Sequence, residues 1–153
     1  MVEICRRESF GYKFHDRPCH IGHHEELAGH SVRGSVLQHI TQIKRALEIG
    51  GVKSSLSAWN VKGDDTKEGV QIDLLIIRDD NVVNLCEMKF ASNAYTIDKD
   101  EDAKLRSRIE ALKGMLTPKQ TIHLTMVTTY GIAYGKHSGI VQKEVVMDDL
   151  FNG

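Results

Sequence analysis

The chain has 153 residues, 41% hydrophobic and 27% charged, with 20 basic and 21 acidic side chains and a formal charge of −1. That length suits one domain burying roughly 70% of the surface its unfolded form exposes, and the composition excludes disordered, collagen-like and mucin-like classes. No apolar run approaches the ~20 residues needed to cross a bilayer. The start, MVEICRRESFGYKFHDR, lacks the apolar core of a signal peptide, so the expected location is the cytoplasm, with no membrane partner.

A net charge near zero neither requires nor excludes nucleic acid, because a protein that holds metal ions with carboxylates can be neutral overall and still grip phosphates locally. The three cysteines form no disulfide framework. Cys86 sits in an apolar run and reads as a buried thiol, while Cys5 and Cys19 lie near the N-terminus.

Residues 1–30 carry five of the eight histidines and little apolar periodicity, and read as an irregular arm or a segment that docks on the rest. A single domain is expected over 31–153. Ser31 or Ser35 can cap a helix, and Val36, Ile40, Ile43 and Leu47 follow at helical spacing until Gly50 and Gly51 end it. Residues 52–61 suggest a strand. The segments 70–77 (VQIDLLII) and 82–90 (VVNLCEMKF) are apolar on both faces, as in strands covered on two sides. Asp79, Asp80 and Asn81 between them predict a hairpin. A second helix is expected at about 99–116, with Leu105, Ile109, Leu112 and Leu116 on one face, stopped at Thr117 and Pro118. Then come a strand at 119–129, a glycine-rich loop at 130–140, a short strand at 141–147 and a terminal helical turn. This order, helix, three strands, helix, one or two strands, predicts an α/β fold: a mixed central sheet with a helix on each face.

The sharpest chemical signal is charge inside the two apolar strands. Asp73 interrupts the first, and Glu87 and Lys89 interrupt the second, on one face with Val83 and Leu85. Charges buried on a sheet are costly unless paired or metal-bound. With a three-residue loop at 79–81, Asp73 falls opposite Glu87 and Gln71 opposite Lys89, at cross-strand Cβ separations of roughly 4.5–5.5 Å. A loop of two or four residues would put the two acids on opposite faces. Adjacent carboxylates raise each other's pKa, and a divalent cation removes that conflict. Oxygen-only ligands suit Mg²⁺ or Mn²⁺. Lys89 can then orient an attacking water and stabilise its hydroxide form. The alternative is a structural ion-pair cluster of the same three residues.

The string D-x13-E-x-K on a hairpin after a helix resembles the PD-(D/E)XK nuclease superfamily. More narrowly, HITQIKRALEIGGV, GVQIDLLIIRDDNVVNLCEMKFA and HLTMVTTYG are similar to the nuclease-like domain at the C-terminus of certain bacterial AAA-type ATPases. The resemblance covers residues 32–151. It implies a restriction-endonuclease-like αβββαβ core and Mg²⁺-dependent cleavage of DNA. Asp73 and Glu87 match the metal ligands, Lys89 the catalytic lysine, and Gln71 a polar residue beside the active aspartate. Two features depart from the pattern. Arg33 stands where relatives carry a helix glutamate, which weakens a second metal site or marks an inactive copy. No G-x-x-x-x-G-K-[ST] string is present, so no ATP hydrolysis is expected and any ATPase would be a partner. One active site nicks one strand, so double-strand cutting would imply a homodimer. The competing function is a catalytically inactive nuclease-like module that binds DNA or a protein partner, or works as a fragment of a longer, ATPase-linked protein.

Other polar features have plainer readings. Cys19, His20, His23 and His24 are zinc-capable types, with Cys5 and His30 nearby, but their spacing fits no standard finger. His39 on the first helix and His123 in a strand read as structural. Lys99, Lys104, Arg106, Arg108 and Lys113 alternate with Asp100, Glu101, Asp102 and Glu110 and read as a solvated helix face. Thr128, Thr129 and Tyr130 can hydrogen-bond a phosphate or simply form a turn. No G-x-S-x-G elbow or H-E-x-x-H helix occurs, which disfavours a serine hydrolase or a zincin.

Overall fold

The computed structural model describes residues 3–6, 38–61 and 69–151; for 3–6 and 59–61 it describes the backbone only. The expected caps Ser31 and Ser35, Arg33 and the cysteine–histidine cluster of the arm lie outside the described residues, or, for Cys5, outside the described side chains. Among the described residues no helix is long and apolar enough to cross a membrane.

The elements run β1 (Glu3–Arg6), α1 (Ile40–Ala46), β2 (Ser54–Val61), β3 (Val70–Arg78), β4 (Val82–Lys89), β5 (Tyr95–Thr96), α2 (Lys99–Lys113), β6 (Thr121–Thr128), β7 (Ile132–Ala133), a 3₁₀ turn (Ser138–Ile140), β8 (Lys143–Val146) and α3 (Met147–Phe151). The main sheet has the order β1-β2-β3-β4-β6-β8. It is antiparallel from β1 to β4 and parallel across β4, β6 and β8. The fold is therefore α/β: a mixed sheet between two helical layers, as the alternation of apolar segments predicts. β1, inside the arm, adds an edge strand to β2.

Side-chain alternation sends apolar groups to both faces. Leu74, Ile76, Cys86, Val127 and Val145 pack with Ile43, Leu47 and Leu150 on the side of α1 and α3. Ile72, Leu75, Val83, Leu85 and Leu124 pack with Leu105 and Leu112 of α2 on the other. Both faces are covered, which is why β3 and β4 read as near-continuous hydrophobic runs. The buried amide of Asn84 on β4 donates to the Thr125 hydroxyl on β6 at 3.2 Å, fastening the parallel pair.

Local chemistry explains the ends of the elements. α1 stops at Ala46, four residues before the glycines expected to end it, because Glu48 takes the left-handed conformation (φ 59°). The N–H of Glu48 donates to the Arg45 carbonyl and that of Ile49 to the Lys44 carbonyl, at 2.9 and 2.8 Å. This is a Schellman closure, and Ile49 packs in the same cluster as Ile43. α2 starts at Asp98, whose side chain accepts the Glu101 N–H at 2.8 Å, and ends at Gly114, short of the expected 116. In the hairpin Asn81 supplies the left-handed residue (φ 65°), and the Arg78 guanidinium pairs with Asp80. β5 and β7 are too short to show in the sequence pattern. They pair in parallel and stitch the loop after β4 to the loop after β6.

Candidate active site

The hairpin register is the one a three-residue loop requires: Ile77 pairs with Val83, Ile76 with Asn84, Leu75 with Leu85 and Leu74 with Cys86. The ladder ends there, one residue short of Asp73. The cause is visible on the other side of β3. Ser57 pairs with Leu75 but Trp59 with Ile72, so Asp73 and Leu74 together oppose the single residue Ala58. This β-bulge reverses the alternation: Leu74 and Ile76 lie in the α1 layer, whereas Leu75 and Ile72 share the α2 layer. Asp73 therefore leaves the ladder instead of pairing directly with Glu87, and its carboxylate accepts the Met88 N–H at 3.3 Å. Gln71, expected opposite Lys89, pairs in the β2 ladder with Asn60.

Glu87 lies on the α2 face and is almost completely buried. Its Oε2 accepts from Arg108 at 2.6 Å. Its Oε1 is buried with no hydrogen-bond partner. Burial pushes the Glu87 carboxyl up to about 7; the Arg108 charge opposes this, the Asp73 charge adds to it, and Lys89 and Glu101 act in opposite senses behind them. The influence of Asp73 on Glu87 shows that the two strand acids share one electrostatic environment although they are not ladder partners.

Lys89, two residues on, forms an ion pair with Glu101 of α2 at 2.7 Å and lies 5.8 Å from the centre of the Tyr95 ring. Burial alone would depress its pKa. The adjoining Glu101 carboxylate outweighs that, and the net direction is up. Lys89 is thus held as an ammonium. It can donate hydrogen bonds and offset negative charge, but it is no general base. The Cys86 thiol, between the strand acids in sequence, points into the opposite layer, and burial followed by the Glu87 charge raises it to about 12. It is the buried thiol expected.

The helix supplies two residues that the charge pattern hid. Arg108 and Glu101, read from sequence as part of a solvated face, turn inward to Glu87 and Lys89. Spacing carries the signal: 101, 105, 108 and 112 recur at helical intervals, and Leu105 and Leu112 of that series are core residues. The rest of the helix charge does behave as a surface: Arg106 pairs with Asp102 and Lys113 with Glu110. His137 joins Asp102 at 3.1 Å. The hydroxyls of Thr128 and Thr129 accept main-chain N–H groups from Gly131 (2.9 Å) and Ala91 (3.3 Å), which is the turn-forming reading. His39 contacts Phe151 edge-on, joining α1 to α3.

Three carboxylates, Asp73, Glu87 and Glu101, thus meet two cations, Lys89 and Arg108, at the end of the sheet. With Glu87 ionised the balance is one negative charge, and with Glu87 protonated it is zero. Two buried carboxylate oxygens, Oε1 of Glu87 and Oε1 of Glu101, accept no hydrogen bond, and of these only the Glu101 oxygen has an ion-pair partner, Lys89. Lys89 and Arg108 keep about a quarter of their side chains exposed, so the cluster is open to solvent. Among the described residues no group of three or more His, Cys, Asp or Glu is arranged as a metal cage. Two carboxylates completed by water, substrate phosphate and a main-chain carbonyl are nevertheless the donor set Mg²⁺ accepts. The lone Glu87 Oε1 fits such an ion, which would also favour the ionised form of Glu87. Comparisons with protein families, curated proteins and solved structures find no match to this chain.

Proposed function

We propose that the protein is a metal-dependent DNA nuclease with a restriction-endonuclease-like core, hydrolysing phosphodiester bonds at the end of the β3–β4 hairpin. The observation that carries this reading is the buried Oε1 of Glu87, which has no hydrogen-bond partner and lies where the Asp73 charge is felt. The strand order β2-β3-β4-β6-β8, with α2 crossing between β4 and β6, supports it, as does the D-x13-E-x-K string. Asp73 and Glu87 would hold Mg²⁺ or Mn²⁺, which when bound lowers the pKa of a water and neutralises charge on a phosphoryl oxygen.

The chain's own residues do the rest. Glu101 fixes the Lys89 ammonium in place, where it donates to the attacking water and offsets the charge that grows as that water gives its proton to solvent. The new P–O bond replaces the one to the departing nucleotide oxygen, which takes a proton from solvent in turn. Arg108 holds Glu87 by one oxygen and leaves the other free for the metal. The Met88 N–H orients the Asp73 carboxylate. Gln71, on the same strand, assists on the phosphate side.

A second reading has its own observation. Glu87 and Lys89 are each already paired with a charge from α2, which suits an inactive nuclease-like module that binds DNA or a protein partner. Calorimetric titration with Mg²⁺ or Mn²⁺ and nicking of supercoiled plasmid separate the two. The nuclease reading expects metal-dependent heat and nicking, both lost in Asp73→Ala. A silent titration with intact plasmid would overturn it in favour of the binding module.

A further inference from the structure

Tyr95 opens β5, packs against the core cluster on the α2 side, and turns its ring to the Lys89 ammonium, which lies 5.8 Å from the ring centre. That separation is within the ~6 Å over which the face of an aromatic ring attracts a cation. Both residues hang from the end of β6. Lys89 stands opposite Thr128 in the parallel ladder. The Thr128 hydroxyl accepts the Gly131 N–H at 2.9 Å, and the Gly131 carbonyl accepts the Tyr95 N–H at 2.8 Å. Tyr95 then pairs with Ile132, whose own N–H donates to Glu144 of β8 at 3.1 Å. Gly131 takes the left-handed conformation (φ 83°) that carries the chain from β6 into β7. Burial pushes the Tyr95 phenol up and the Lys89 charge pulls it back, with the net direction up. The ring is therefore neutral near neutral pH and keeps its electron-rich face.

We propose that Tyr95 is a positioning residue for Lys89: together with Glu101 it holds the ammonium beside the Asp73–Glu87 acids, and the β5–β7 pair is its mount. The effect on catalysis rests on the nuclease reading; the placing of the ammonium does not. A lysine head rides on a flexible four-carbon stem, and a single partly exposed ion pair fixes such a chain weakly. Glu101 alone leaves the head free to swing about its carboxylate. The ring adds a second attraction from another direction, which selects one position on that arc. An ammonium has three N–H donors and no acceptor. Glu101 engages the head on one side and the ring face on another, so donors remain for a water or a phosphate oxygen. A further carboxylate in place of the ring would compete for those donors and add negative charge next to Asp73 and Glu87. A neutral ring attracts the cation without either effect, which is a physical reason for an aromatic at this position.

The test compares the full chain with Tyr95→Phe, which keeps the ring, and Tyr95→Leu, which keeps an apolar side chain against the core but offers no ring face. Should the leucine variant fail to fold, Tyr95→Met, unbranched and adaptable, takes its place. The first readout needs no metal or DNA. It is the NMR signal of the Lys89 Cε protons, assigned by its loss in Lys89→Arg. A lysine head fixed beside a ring gives separate, ring-shifted signals for that methylene, whereas a rotating head gives one averaged signal. Wild type and Tyr95→Phe should show separate signals and Tyr95→Leu a single one, while Lys53, beside Asp79 at the turn of the hairpin, stays unchanged in all three. The second readout is plasmid nicking with Mg²⁺. Tyr95→Leu should lower kcat by about 2- to 30-fold, the range a cation–π contact spans, with KM little changed, and Tyr95→Phe should restore it. Separate Lys89 signals that survive in Tyr95→Leu, or a phenylalanine variant that behaves like the leucine one, would overturn the proposal. So would a leucine variant that nicks at the wild-type rate. If wild type never nicks, the nuclease reading fails, and collapse of the Lys89 signals in Tyr95→Leu still supports Tyr95 as the residue that places the ammonium.

Discussion

Replacing Glu87 by Gln separates the stability of the sheet from the chemistry at its end. Burial lifts the Glu87 carboxyl from 4.5 to about 7 despite the Arg108 charge beside it. At about 1.4 kcal/mol per pH unit, an ionised Glu87 costs the folded state about 3 kcal/mol. The direction follows from the protons. Between 4.5 and about 7 the folded chain keeps a proton on Glu87 that the unfolded chain has released. This group's contribution is therefore fully present below 4.5 and is lost as pH rises through about 7. Glutamine keeps an acceptor for Arg108 and cannot ionise, so the variant escapes the loss. Any penalty for leaving Arg108 beside a neutral group is the same at every pH. Urea unfolding of both proteins at a series of pH values measures the difference, in which titrating groups remote from Glu87 cancel. That difference should move by about 3 kcal/mol in favour of Glu87→Gln between about pH 4.5 and about pH 8. A difference that stays flat with pH, or moves the other way, would show that the Arg108 ion pair outweighs burial and that Glu87 is not strained. The stabilised variant should also lose metal-dependent heat and plasmid nicking, the usual cost of relieving strain at a working site.

Lys89→Ala should abolish nicking while changing stability by less than about 1 kcal/mol, because a partly exposed ion pair contributes little; a variant that nicks at the wild-type rate would remove Lys89 from the mechanism. Arg108→Met leaves buried Glu87 without its cation, so the carboxyl should rise above 7 and stay protonated at neutral pH, and stability there should fall only by the lost hydrogen bond, about 1–3 kcal/mol. Side-chain NMR titration of Glu87 reads the first effect and urea unfolding the second. Leu105→Ala removes a fully buried side chain between α2 and the sheet, with an expected loss of about 2–5 kcal/mol in the same unfolding assay. Asn81→Ala puts an ordinary side chain at φ 65° in the hairpin; a cost of about 1 kcal/mol is expected, and Asn81→Gly should be close to neutral.

The alternation of apolar segments was enough to place β2, β3, β4, β6 and β8 and both helical layers, but not β1, β5 or β7. It predicted β2, β3, β4, β6 and α2 to within a few residues, because long periodic runs carry burial directly in their spacing. The three-residue turn likewise set the hairpin register, since the pleat makes every one-residue slip reverse a face. The end of α1 was misjudged because two glycines looked like the stop. The chain instead closes the helix at Glu48 and buries Ile49 in the same core cluster as Ile43, which pattern alone does not show.

The site divides along the same line. Asp73, Glu87 and Lys89 stood out in the amino-acid order because charge within an apolar strand is anomalous wherever it occurs. Their partners did not, because Glu101 and Arg108 sit among charges on a helix where such residues are ordinary. Only docking of α2 on the sheet turned those two inward, and only the bulge moved Asp73 off the ladder that simple counting assigned it. Order along the chain decides which residues alternate faces, since that is set by backbone geometry within one strand. Which charges meet, and which oxygen is left bare, depends on contacts between segments far apart in the chain, and those exist only once the layers have packed.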